Sequence, residues 1–194
     1  MKKSKANGFK RQFKDSLSYL RGSRNYILVI ATIFLAGILL GFSFYSQLSF
    51  LDGILDGLIE KIRGLSTPGI ILFIMQNNIK SAFYGLLFGA VLGIFPLMNS
   101  LSNGVVLGYV MNGVWVNSGI REFWRILPHG IFELPAIFIS LSLGLKLGMF
   151  IFQKNKLSEL SERARNSMIS FVCIVIPLLI VAAVIEGLLI AAYK

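Results

Sequence analysis

His129 and Glu133 stand four residues apart in the stretch Leu-Pro-His-Gly-Ile-Phe-Glu-Leu-Pro-Ala, residues 127–136. On a helix that spacing places both side chains on one face, one turn apart. His129 is the chain's only histidine, and the stretch around it is apolar. A carboxylate at membrane depth is costly enough that Glu133 reads as a functional residue. A second carboxylate, Glu186, interrupts an otherwise apolar run near the C-terminus. One imidazole and two carboxylates suit a divalent metal such as zinc, with a fourth position left for water. A titrating carboxylate on an ion or solute path would use the same groups. The plainest alternative is a buried structural network. In it Lys80 neutralises Glu133 or Glu186, while His129, Asn77, Asn78, Asn103 and Asn112 complete the hydrogen bonds, because buried charges need such partners. The residue types leave these three readings open. His-x-x-x-Glu is not the His-Glu-x-x-His of zinc proteases. The chain has no nucleotide-binding loop, nucleophile elbow or cysteine–histidine pairing, so the reading leans away from an enzyme.

The elements that must position these residues are membrane helices. The composition is 55% hydrophobic and 14% charged, with a mean hydropathy of +0.74. Those values exclude a soluble globular domain of this size. Five runs are long enough to cross a hydrocarbon core, which takes about 20 helical residues. They cover about 26–45, 76–98, 101–116, 127–152 and 168–193. Glycines four residues apart recur on the spans: Gly37 and Gly41, Gly85, Gly89 and Gly93, Gly104 and Gly108, Gly144 and Gly148. Each such face allows close helix contact and permits a homodimer. Residues 48–65 alternate apolar and charged side chains at helical spacing and form an amphipathic helix, closed by Ser66-Thr67-Pro68-Gly69. Pro135 is expected to bend or break the fourth span, Pro177 to kink the fifth, and Pro96 with Asn99-Ser100 to mark a tight turn that makes spans two and three antiparallel neighbours. The expected fold is therefore all-α: a polytopic bundle of about five spans plus an extracytoplasmic amphipathic helix.

The net charge of +10 is concentrated in the first 25 residues. No recognition motif accompanies it, which argues against nucleic acid as a partner. A basic flank beside a span marks the cytoplasmic side and favours anionic lipid. Residues 1–25 thus form a basic cytoplasmic tail, either a surface helix through Phe9, Phe13, Leu17 and Leu20 or a disordered segment, and 26–194 form a single transmembrane domain. Five spans then put the charged 153–166 segment inside, and 48–67 and the 117–125 connector with Trp124 outside. On this topology His129, Glu133, Glu186, Asn77, Asn78, Lys80 and Asn112 gather in the outer half of the membrane. The single cysteine, Cys173, rules out an internal disulfide.

Asn77-Asn78 opening a span, Asn103-Gly104 with Gly108 downstream, the whole of 127–136, Gly144 to Gly148, and Ala-Ala-Val-Ile before Glu186 together resemble the stage II sporulation protein M family. The resemblance runs from the first span to the last, and Pro-His-Gly-Ile-Phe-Glu-Leu-Pro-Ala is its most specific part. It implies a multi-pass protein of the cell membrane. In spore formers the namesake acts in engulfment and holds a pair of cell-wall-degrading partners, so cell-wall-remodelling or other membrane-complex proteins are the implied partners here. The family extends beyond sporulation. This chain stops at Lys194, soon after Glu186, where relatives often continue past a proline.

Overall fold

The computed structural model describes residues 2–91, 93–119 and 127–192. Every regular element among them is a helix: α1 (Lys2–Arg21), α2 (Arg24–Ser43), α3 (Phe50–Ile62), α4 (Thr67–Leu87), α5 (Ile94–Ser118), α6 (Leu127–Gly148), α7 (Lys156–Ser170) and α8 (Ile176–Ala192). Helix is the form an apolar span must take, since lipid offers no partner for backbone N–H and C=O groups. Five stretches are long and apolar enough to cross a membrane: Arg24–Ser43, Thr67–Ala90, Ile94–Val116, Gly130–Phe152 and Lys156–Ala192.

The bundle is assembled around α6, which packs against α2, α4, α5 and α8. Two glycine-to-glycine seams tie it together. A Cβ on Gly37 would lie 2.5 Å from the Leu101 carbonyl and 3.0 Å from the Gly104 Cα, and Gly108 meets the backbone of Ile38 in the same way. Thus α2 and α5 touch backbone to backbone along Gly37, Gly41, Gly104 and Gly108. Gly85 of α4 and Gly89, in the 3-10 turn Phe88–Ala90 that extends it, form the second seam, against Gly144 and Gly148 of α6. Such contact is how membrane helices gain packing energy where lipid supplies no hydrophobic drive. The glycine faces are consumed inside the chain, so they carry no argument for a second copy.

Several boundaries differ from the expectation. The second span begins at Thr67, not Gln76, because Pro68 occupies the first turn of α4, where its missing N–H costs nothing. Pro96 likewise sits in the first turn of α5, and the chain reverses earlier, through Gly93 at φ 69°. Beyond that reversal α5 leaves α4 and runs along α2, drawn there by the glycine seam. Pro135 lies inside α6 without ending it, because neighbouring helices hold α6 on both sides of the proline. Segment 153–166 is no loop. Most of it is α7, which joins α8 through one wide π-helical turn, Phe171–Val175. That turn lies just ahead of Pro177 and takes up the hydrogen bond the proline cannot make. The basic N-terminal segment is helical and docks along α7, with Leu20 in one core cluster with Leu143 and Val175.

Candidate functional site

Depth along the bundle can be read from a few contacts. Ser140 Oγ of α6 donates to the Ala82 carbonyl of α4 at 2.7 Å. The rings of Phe34 and Phe138 meet edge to face at 5.0 Å, which sets α2 against α6. Gly187 of α8 lies on Ile71 of α4. With the Ser140 level as origin and about 1.5 Å per residue, Glu133 stands about 10 Å toward the end of the bundle that carries α3. Glu186, beside Gly187, stands about 16 Å along the same way. Asn112 donates through Nδ2 to the Phe42 carbonyl at 2.8 Å, which puts it about 15 Å out as well. Glu186 and Asn112 therefore lie at one depth on α8 and α5, with Glu133 of α6 about one turn nearer the Ser140 level.

Other expected members do not join them. Asn78 and Lys80 lie only about 6 and 3 Å from the Ser140 level, and Asn103 lies beside Phe34 at a similar depth. With α4 starting at Thr67, Asn77 and Asn78 fall near its middle. Nor is this set uniformly buried. Asn77 and Lys80 are exposed, on a face of α4 that also carries Gln76 and Ser81, while Asn78 is half-buried. Asn103 is satisfied within its own helix, donating to Asn99 O and Oδ1 at 2.8 Å. Asn112 acts as a bridge between helices. We expect Asn112→Leu to lower unfolding stability in detergent by about 0.6–1.5 kcal/mol, read from a denaturant midpoint. An unchanged midpoint would remove the bridge from the account.

His129 lies in the first turn of α6, ahead of Glu133, but its side chain lies outside the described residues, as do residues 120–126 with Trp124. Glu133 is half-buried and has an interaction partner. Glu186 is half-buried in α8, where Ala182, Ala183 and Gly187 around it are fully buried. Among the described residues nothing makes a hydrogen bond or ion pair with it, so the proposed neutralisation of Glu186 by Lys80 is not seen. No group of three or more His, Cys, Asp or Glu side chains among the described residues is placed to hold a metal ion; the His129, Glu133 and Glu186 trio falls outside that statement because of His129.

A further feature escaped the sequence reading. Tyr109 of α5 is buried, and its hydroxyl donates to Asp52 Oδ1 of α3 at 2.6 Å. Tyr45 stacks on the Tyr109 ring at 4.5 Å. This pins the first turn of α3, yet little of α3 is packed. Leu51 is its only buried residue, and Phe50, Ile54, Leu58 and Ile59 are exposed. No sequence pattern pairs a tyrosine with an aspartate 57 residues away.

The span set, the glycine seams and the acids of α6 and α8 define a polytopic helical membrane protein. Among known proteins, the family model of stage II sporulation protein M matches residues 30–189, and the chain belongs to that family. One similar protein, an uncharacterized protein of Methanocaldococcus jannaschii, is 29% identical over 167 residues, covering 82% of this chain and 90% of the relative. A second uncharacterized protein of the same archaeon is 30% identical over 128 residues, covering 61% of this chain and 54% of that relative, so the match spans about half of it. No solved structure matches.

Proposed function

We propose that the chain is a non-enzymatic membrane scaffold that holds a partner protein of a cell-envelope remodelling complex through α3. The observation that carries this reading is the stripe Phe50, Ile54 and Leu58, spaced four residues apart and exposed on a helix that the rest of the protein holds near its two ends, at Asp52 and at Ile62. An amphipathic helix held out from a rigid body suits docking in a partner's groove. The α1 and α7 end then lies in the cytoplasm, supported by the basic excess of both segments, and α3 lies outside. The test is crosslinked partner recovery from membranes of cells carrying Phe50→Ser, Ile54→Ser and Leu58→Ser together. Recovery should fall at least tenfold with unchanged expression; equal recovery ends the docking role.

One observation favours a second reading, an intramembrane metal hydrolase or a small-solute or ion permease. Glu186, a carboxyl without a described partner, lies within about one turn of the depth of Glu133 on the adjoining helix. In that case purified protein carries about one zinc per chain, lost in His129→Ala, Glu133→Gln and Glu186→Gln. Zinc-free protein that retains its activity rules out the hydrolase.

A further inference from the structure

At the end of the bundle opposite Glu133 and Glu186, a cavity of about 610 Å³ opens between α1, α6 and α7. Its charged walls are Arg11, Lys146 and Arg165 against one acid, Asp15. Asp15 is turned to Arg11, 3.9 Å away, with both side chains largely in solvent; outside the lining, Glu162 and Arg163 of α7 act on Lys146 with opposite sign. Lys146 is held in place. Its Nζ donates to Ser23 Oγ at 2.9 Å and lies 3.5 Å from the centre of the Tyr19 ring. An ammonium has three N–H donors, and Ser23 takes one.

The hydroxyls around the cavity are the second observation. Ser16, Tyr19 and Ser170 all line it. Ser16 is 3% exposed and Ser170 fully buried, and the hydroxyl oxygens of both lack a hydrogen-bond partner. The Tyr19 hydroxyl has Ser167 of α7 beside it as its hydrogen-bonding neighbour. Buried polar groups are nearly always satisfied, so two exceptions around one opening call for a ligand. Burial also pushes the Tyr19 phenol above its ordinary range, which keeps it a protonated donor at neutral pH. Hydroxyl and cationic donors converging on one space fit a group that is all acceptor and carries negative charge.

We propose that this cavity binds a phosphate group, and that an anionic phospholipid headgroup supplies it. The position decides the source. Lys146 is near the end of the fourth span, and α7 leads directly into the fifth, so the cavity opens at the level of the headgroups. Basic pockets between helix ends are where such lipids are held.

The full-length protein is purified in mild detergent, delipidated, and titrated with phosphatidylglycerol, with phosphatidylcholine, and with inorganic phosphate. Bound lipid is counted by native mass spectrometry and stability is read as a thermal midpoint. The expected result is a one-to-one phosphatidylglycerol adduct that raises the midpoint by several degrees. Arg165→Gln, on the exposed rim, should weaken the adduct about tenfold, and Lys146→Gln should abolish it. Should Lys146→Gln fail to fold, Ser16→Ala serves instead: it should raise the lipid-free midpoint, by removing an unsatisfied hydroxyl, while weakening the adduct. Equal adducts on wild type and Arg165→Gln, or equal retention of phosphatidylcholine, would overturn the proposal. A midpoint shift with inorganic phosphate and none with lipid would overturn the lipid as the source.

Discussion

Gly104→Leu abolishes the folded bundle, as does Gly144→Leu, whereas Gly53→Ala and Gly57→Ala make the protein slightly more stable. All four replace a helical glycine, and what each new side chain would meet decides the outcome. A Cβ on Gly104 runs into the Phe34 carbonyl and approaches the Gly37 Cα to 3.1 Å; one on Gly144 comes within 2.5 Å of the Gly85 carbonyl. Backbone cannot swing aside as a side-chain tip does, so the helices must part along the whole seam. Overpacking a core with a methylene or two costs about 1–3 kcal/mol; prising apart two backbones for a leucine should cost more than about 3 kcal/mol, since the packing of neighbouring turns is lost too. Gly53 and Gly57, on α3, have nothing within 4 Å of a built Cβ. There alanine only removes glycine's entropy penalty, worth about 0.5–1 kcal/mol at each site. Unfolding midpoints in detergent, read alongside the monodisperse fraction on gel filtration, would separate the two pairs. A folded Gly104→Leu protein with a wild-type midpoint would mean that α2 and α5 are not in backbone contact.

The same glycines mark how far the amino-acid sequence can be read. Their four-residue spacing is a local property, so the presence of close-packing faces on α2, α4, α5 and α6 was evident. Which face meets which was not, because one Gly-x-x-x-Gly looks like any other and the pairing is settled by non-local packing around α6. Proline misled for a related reason. Pro68 follows the polar Ser66-Thr67 and Pro96 precedes Asn99-Ser100, and a proline just after a helix and one in the first turn of the next have nearly the same surroundings in the chain. Misplacing the start of α4 by nine residues, from Thr67 to Gln76, shifted Asn77, Asn78 and Lys80 toward the end of the bundle and folded two depths into one. The Tyr109–Asp52 bond and the hydroxyl-lined cavity are products of tertiary contact, with no local pattern to announce them.

Glu186→Leu should leave a more stable protein that no longer works, and Glu133→Leu should do the opposite to stability. Both residues are half-buried carboxyls of apolar helices, at depths differing by about one turn. Glu133 has an interaction partner, and where that partner bonds the carboxyl, deleting it should cost about 1–3 kcal/mol. Glu186 is placed among Ala182, Ala183 and Gly187 with no described partner. An acidic group at the centre of a span costs about 2.5–3.5 kcal/mol on the insertion scale and less toward the ends. Removing one about 16 Å from the Ser140 level should therefore raise stability by about 1–2 kcal/mol. Natural chains carry such a cost where the group serves something other than folding, as strained and unsatisfied sites commonly do. The permease reading predicts that Glu186→Leu fails to complement a deletion strain, as does a scaffold that engages its partner at Glu186 as well as through α3, but the two part on Glu186→Gln. The amide keeps the polarity and shape while losing the charge and the titration. A scaffold that uses Glu186 to accept a hydrogen bond from a partner would retain most of its function with glutamine, whereas a metal site or an ion path would lose it at least tenfold. If instead Glu186→Leu lowers the unfolding midpoint, the carboxyl belongs to the structure, and it has no chemistry to perform with Glu133.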